Sequence, residues 1–514
     1  MSATPAADFA PLKVKHKGLL TIAVMAGTLM QVLDSTIANV ALPHMQATLG
    51  ATQDSITWVL TSYIIASAIA IPVTGWLADR VGSRNLFLFS VVLFVIASML
   101  CGIATTLPEM VAFRLFQGVA GAFIVPLAQT VMLDINPPSA HGRAMAIYGM
   151  GVMIGPVLGP ILGGWLTENF SWRWVFYVNL PVGLICFVGL WAFLPPKPVV
   201  RRGFDRLGFF YLALALCSLQ LMLDRGVHVD WFDATEIWIE AGIAIAGFWI
   251  FITHLLTGKM PLFRPQMLAD RNLMTGTLFL FILGLVMMAS MALLPPMLQN
   301  LYGYPVLETG MLLAARGLGV MVAMAASGRM MEKIDPRLMV FAGFVMMALS
   351  LWYMTGWSLE MDWHPVVWTG LLQGVGLGLV FVPLNVMSFA TLPSEYRTDG
   401  AGLLSLSRNI GASLGISVVS FLLARNIQIS HADLAGHITA FNLPTDPNTA
   451  LRFGQSGDSA MAMLDGEINR QAAMIAYLND FHFMMWVTIA IIPLVLLLRK
   501  PTHKKDNEMH MVME

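Results

Sequence analysis

The chain has 514 residues, 57% of them hydrophobic and only 11% charged, with a formal net charge of −1 and a mean hydropathy of +0.72. A soluble globular domain carries about 25% charged residues, so these values exclude one and place most of the chain against lipid or against other buried helices. A net charge near zero gives no basis for a nucleic-acid partner, and none is expected.

The first 18 residues are polar. The apolar run that follows lacks a small-residue cleavage signature, so it is expected to remain as a first span. Runs of roughly 20 apolar residues, the length a helix needs to cross a bilayer, number fourteen. They lie at 19–42, 55–77, 86–105, 109–133, 144–166, 173–194, 207–224, 236–256, 273–298, 307–330, 338–357, 364–391, 400–424 and 481–498. With the N-terminus inside, 21 of the 29 Lys and Arg fall in cytoplasmic segments. Five fall outside (Arg173, Arg225, Arg425, Arg452, Arg470) and three within spans (Arg114, Arg316, Arg408). This is the positive-inside bias, and it persists only if the count is even. Both termini are therefore expected in the cytoplasm.

Polar residues inside apolar runs are the candidates for chemistry. Asp34 in the first run and Arg114 in the fourth are the deepest ionisable groups of the first half. A charge at membrane depth is costly unless it is paired or faces water, and so points to function. Asp34 is expected to load and release a proton, or else to make a helix-packing hydrogen bond. Arg114 does not deprotonate and either tunes that acid or forms a structural pair. Asn39 and Gln117 either line the same cavity or simply pack. Between the second and third runs, Gly75, Asp79, Arg80, Gly82 and Arg84 form a short charged loop. Its carboxylate is expected to meet a helix N-terminus and its arginines to bind acids across an interface, latching one conformation. Fixing topology is its other reading. Asp134, at the end of the fourth run, reads as a solvated charge.

The fifth run carries Gly151, Gly155, Pro156, Gly159, Pro160, Gly163 and Gly164. Glycine at every fourth position gives a smooth helix face and proline a bend. Such a helix suits either a moving interface between bundles or a close static pair. In the second half, Arg316, Gln373 and Arg408 are candidates for the cavity wall, and the two arginines suit weakly acidic ligands or backbone carbonyls. Residues 425–480 read as an external segment with weakly helical flanks. The cysteines (Cys101, Cys186, Cys217) and the histidines show no metal-ligand spacing, and no phosphate-binding loop appears. No metal or cofactor is expected, which leaves an ion gradient as the energy source.

An internal repeat organises the whole. Leu115, Gln117, Gly118 and Val119 recur as Leu371, Gln373, Gly374 and Val375, with Pro126 matched by Pro383. Ile154, Gly155 and Gly159 recur as Ile410, Gly411 and Gly415. All these separations are 256 or 257 residues. The expected plan is an all-α membrane protein with two parallel six-helix bundles, 19–194 and 261–498. A linker, 195–260, carries two extra spans, and short tails, 1–18 and 499–514, complete the chain. Substrate in such a plan binds at the midplane between bundles that rock.

The chain resembles the major facilitator superfamily, and more closely its fourteen-span drug:proton antiporters of the EmrB/QacA type. The resemblance rests on 33–43 in the first span, on 75–84, on Arg114 with Gln117 and Gly118, and on the spacing of glycine and proline over 151–164. It implies a proton-driven multidrug efflux permease in a bacterial inner membrane, exporting hydrophobic small-molecule drugs. It ties Arg114 to proton coupling and 151–164 to antiport. In a Gram-negative envelope it further implies a periplasmic membrane-fusion adaptor and an outer-membrane channel as partners. A major facilitator symporter, or an exporter of one specific metabolite or siderophore, shares the fold. A polytopic transferase would need a polar constellation that His431, Asp433 and His437 do not form.

Overall fold

The computed structural model describes residues 11–200, 202–226, 229–258, 261–438 and 457–498. Parts of the expected tails, 1–10 and 499–514, and the stretch 439–456 of the expected external segment lie outside the described residues. Among the described residues there is no β-strand, and fourteen helices are long and apolar enough to cross a bilayer. In chain order they are α1 (Lys17–Leu49), α2 (Trp58–Val81), α3 (Ser83–Ile103), α4 (Leu107–Asp134), α5 (Pro138–Asn169), α6 (Trp174–Phe193) and α7 (Arg206–Arg225). There follow α8 (Thr235–Thr257), α9 (Arg271–Asn300), α10 (Val306–Met330), α11 (Pro336–Met354), α12 (His364–Ala390), α13 (Ser394–Gly436) and α14 (Met461–Leu497). Each apolar run read from the sequence falls on one of them.

Local chemistry sets several of the helix ends. Gly82 turns the chain between α2 and α3 at φ +90°, a conformation open to glycine without strain. Thr106 and Glu109 close a reciprocal capping box at the start of α4, satisfying two amides that have no helical partner. Asp205, Asp270 and Asp335 accept backbone N–H bonds at the starts of α7, α9 and α11.

The last two helices run past the expected limits. At 43 residues, α13 is about 60 Å long, against about 30 Å of hydrocarbon. It continues to Gly436, and helix resumes at Gly457, so the described parts of 425–480 are almost entirely helical rather than loop. Those flanks are rich in Ala, which favours helix in water as well as in lipid. Hydropathy alone therefore understates their length.

The repeat is written into the packing. In the first half α1 packs on α5 and α6, α2 on α4, and α3 on α4 and α6. In the second, α9 packs on α13 and α14, α10 on α12, and α11 on α12 and α14, the same scheme eight helices later. The repeated glycines make these crossings. A Cβ on Gly118 would lie 2.5 Å from the Tyr63 carbonyl oxygen, and one on Gly374 2.2 Å from that of Arg316. A Cβ on Gly411 would lie 2.0 Å from the Phe281 carbonyl oxygen, and one on Gly155 2.6 Å from the Val32 side chain. Between the halves, Gln129 donates to Asn385 at 2.6 Å across 256 residues, so a residue and its own repeat partner touch where the two bundles meet.

Helix ends carrying most of the Lys and Arg gather at one end of the bundle, here termed the basic end. The halves join there. Residues 71–81 of α2 pack on α13, while Gly142 and Ala146 of α5 meet Gly328 of α10 and Met331 just after it. The α5–α10 seam continues through Gly149 with Met324 to Val157 with Gly317. Beyond it Leu158, Ile161 and Trp165 are exposed, so the halves are closed at the basic end. The hairpin of α7 and α8 lies to one side, with α7 against α2 and α13.

We expect Gly411→Ala to destabilise the protein by about 1–3 kcal/mol, because backbone must move to admit the methyl group. Gly164→Ala, with nothing within 4 Å of the added carbon, should leave the thermal midpoint unchanged or slightly raised. Melting of both variants in detergent checks the contrast.

Candidate functional site

Asp34 lies in the middle of α1 on the face turned towards α4 and α6, and it is buried. Its Oδ2 accepts from Arg114 Nη1 at 2.6 Å. Its Oδ1 accepts from Gln117 Nε2 at 2.7 Å and from Asn179 Nδ2 at 2.8 Å. Arg114 and Gln117 sit one turn apart on α4, so both reach the same carboxylate. Arg114 also donates from Nη1 to Gln117 Oε1 at 2.8 Å and from Nε to the Val59 carbonyl of α2 at 3.0 Å. Its guanidinium lies 4.5 Å from the ring centre of Tyr63. Asn179 of α6 makes a further bond to Ser98 Oγ of α3 at 2.9 Å, and Ser98 donates to the Phe176 carbonyl. Five helices thus converge on one buried ion pair.

The structure brings Asp34, Arg114 and Gln117 together, and it encloses them within the first bundle rather than in the hollow between bundles. A proton reaching Oδ2 must displace Arg114 Nη1. Asn39 is exposed and bonds only to Ser35 of its own helix. Asn179, Ser98 and Tyr63 were not singled out from the sequence; an isolated Asn or Ser in an apolar run was their only mark.

The second half repeats the frame of this cluster without its charges. Gln373, equivalent to Gln117, donates from Nε2 to Ser290 Oγ at 3.2 Å, and Ser290 stands 256 residues after Asp34. Gly370 stands 256 residues after Arg114 and packs against Arg316. Arg316 donates to the Met287 carbonyl at 3.3 Å, the backbone pairing that was one of its two readings. The Arg408 carbonyl lies 2.3 Å from a Cβ built on Gly284, and its charge acts on Tyr148 of α5 in the other half. Both arginines are half-buried, they flank the same turn of α9, and among the described residues neither pairs with a carboxylate.

At the basic end the charged loop meets the second half, through partners other than those expected. A Cβ on Gly75 would lie 1.6 Å from Asp399 Oδ1, so only glycine lets α13 approach here. Asp399 receives Arg202 Nη1 at 3.1 Å and Nη2 at 3.0 Å. Asp79 accepts from Arg264 Nη2 at 3.4 Å and forms an ion pair with Arg202, whose Nε lies 3.4 Å away. Arg80 instead lies over Trp76, and Arg84 donates to the Trp191 carbonyl at the end of α6 at 2.6 Å. Both therefore stay within the first bundle. Arg202 and Arg264, which meet Asp79 and Asp399, come from the segments flanking the α7–α8 hairpin. Asp134, expected to be solvated, is enclosed between Arg397 Nη1 at 2.9 Å and Lys197.

The glycine face of α5 packs on α1. Gly151 meets Met25, Gly155 Val32, Gly159 Thr36 and Gly163 Ile37. Gly164 faces open space, and Pro156 and Pro160 lie within the continuous helix. This face thus makes a close pair within the first bundle. The contact with the second half uses Gly142, Gly149 and Val157 instead.

The model of the Major Facilitator Superfamily matches residues 24–415. The chain belongs to the major facilitator superfamily. It is 34% identical over 475 residues to the multidrug export protein EmrB of Haemophilus influenzae, covering 91% of this chain and 93% of that one. It is 35% identical over 502 residues to the fatty acid resistance protein FarB of Neisseria gonorrhoeae, covering 96% and 99%. Solved structures of the human organic anion transporter MFSD10 and of the proton:xylose symporter XylE share the fold. Their TM-scores are both 0.59, at 15% and 12% identity, over 92% and 93% of this chain and 99% and 96% of theirs. The protein is a multi-pass membrane transporter, similar along its length to multidrug export proteins.

Removing Arg114 leaves Asp34 as an unpaired buried charge. Arg114→Leu should cost about 3–5 kcal/mol, and Asp34→Asn in the same chain should recover much of that loss; additive melting shifts would show that the pair is not coupled. Arg202→Ala should loosen the basic end. Spin labels at Arg143 and Arg329 would then show longer distances, and an unchanged distribution removes Arg202 from the latch.

Proposed function

We propose that the protein is a proton-driven exporter of hydrophobic small molecules, working by alternating access. The basic end and both termini face the cytoplasm of a bacterial inner membrane, and the proton gradient supplies the energy without a cofactor or an enzymatic step. The observation that carries this reading is the enclosed Asp34 carboxylate, with Arg114, Gln117 and Asn179 bound to it. The acid does not meet the cargo directly. A proton at Oδ2 releases Arg114 Nη1 and loosens α4 from α1, and α1 is the helix on which α5 packs. Since α5 also carries the seam with the second bundle, protonation inside one bundle biases the joint between both. Coupling of this kind requires only that the two conformations bind the proton with different affinity.

Charge in the second half favours amphipathic acids among the cargo. Arg316 and Arg408 give the hollow an electropositive wall, and the name of FarB, a fatty acid resistance protein, accords with that chemistry. The helices beyond the bilayer, 425–436 and 457–475, offer a projecting hairpin for a periplasmic membrane-fusion adaptor coupled to an outer-membrane channel. Its polar, helical construction and the length of α13 support that use.

In sealed vesicles with only a pH difference imposed, wild-type protein should expel a fluorescent hydrophobic acid, and Asp34→Asn should lose at least about tenfold of the rate. Export by the variant that still follows the pH difference would remove Asp34 from coupling. Deleting 430–475 should abolish adaptor capture; unchanged capture discards the docking role.

A further inference from the structure

One buried acid lies outside the cluster described above. Asp480 is on α14, in the second bundle, with none of its surface exposed. Neither of its carboxylate oxygens has a hydrogen-bond partner. α14 packs on α9, α11 and α13. The neighbours of Asp480 along α14 are buried apolar groups: Phe481 meets Trp357 edge-on with ring centres 5.6 Å apart, and Met484, one turn on, receives Ser290 Oγ. Tyr477 is the titratable side chain that interacts with it, and no charged group from α9, α11 or α13 does so. The site lies about two turns inside the far rim, where Tyr302 donates to the Ser358 carbonyl and contacts Met474.

An ionised carboxylate with no donors costs several kcal/mol in such a place, whereas a neutral acid costs far less. Asp34 has the opposite surroundings, with three donors, one of them a guanidinium. The repeat sharpens the contrast. The second half has Ser290 and Gly370 where the first has Asp34 and Arg114, so the acid of the second bundle has moved from α9 to its neighbour α14.

We propose that Asp480 is a second proton-binding site, which holds a proton in this basic-end-closed conformation and releases it in the alternate one. The step breaks the acid O–H bond and passes the proton to water; the carboxylate that remains is tolerated only where movement of α14 admits water or a donor. The proposal rests on the proton-driven reading, and it sets the exchange at two protons per cycle, one at each acid.

The test uses full-length protein in vesicles with the membrane potential clamped at zero and the hydrophobic acid above as cargo. With two protons exchanged, the limiting cargo gradient grows about a hundredfold per pH unit, and Asp480→Asn should lower it about tenfold per pH unit. An unchanged limit overturns the proposal. Should Asp480→Asn fail to fold, Asp480→Leu removes the same acid with an apolar group, which such sites tolerate. Independently, infrared spectra of wild-type protein with carbon-13 aspartate should show a protonated carboxyl stretch at neutral pH, and its absence overturns the proposal whatever the variants do. If wild-type protein ignores the pH difference while that stretch is present, the proton-driven reading fails and the protonated acid stands.

Discussion

Lipid supplies no hydrogen-bond partner and little net apolar drive between helices, so backbone must come close to backbone for a bundle to hold. In this protein glycine permits that approach at equivalent crossings in the two halves. Gly118 and Gly374 seat α4 on α2 and α12 on α10, while Gly155 and Gly411 seat α5 on α1 and α13 on α9. Each bundle is therefore closely packed along its own crossings. The seams between bundles are of a different kind: methionine tips and small residues along α5 and α10, and ion pairs at the basic end.

The frame repeats, and the halves differ in the charges placed on it. Gln117 and Gln373 keep the same bond to the same position of the partner helix, but that position is an acid in one half and a serine in the other. The first bundle thereby holds a compact ion pair with every oxygen of the acid satisfied. The second holds two half-buried arginines and, apart from them, a buried acid with no partner at all. At the basic end Arg397 of α13 reaches Asp134 of α4, while Arg202 and Arg264 come from the segments around α7 and α8, which ties the inserted hairpin to the joint it flanks.

Much of this was legible beforehand. Span number, orientation of charge and the repeat follow from hydropathy and spacing, because the bilayer imposes one length and one backbone solution on every crossing segment. Asp34, Arg114 and Gln117 were visible as polar residues where lipid tolerates few. Asn179, Ser98 and Asp399 were not, since a single polar residue in an apolar run has many harmless uses. Arg80 and Arg84 looked like the interface cations, yet Arg80 on α2 lies over Trp76 and Arg84 on α3 caps the end of α6.

The amino-acid sequence by itself determined the class, the fourteen crossings, the duplicated halves and the family, for each depends on composition or on periodicity along one chain. Tertiary structure alone decided which polar groups meet. It put Asp34 inside a bundle, gave the glycine face of α5 to α1, and set Arg202 and Arg264 against the acids at the basic end. The reason is geometric. Membrane depth is encoded in one dimension, but which face of a helix looks at which neighbour is fixed only when all the helices pack at once.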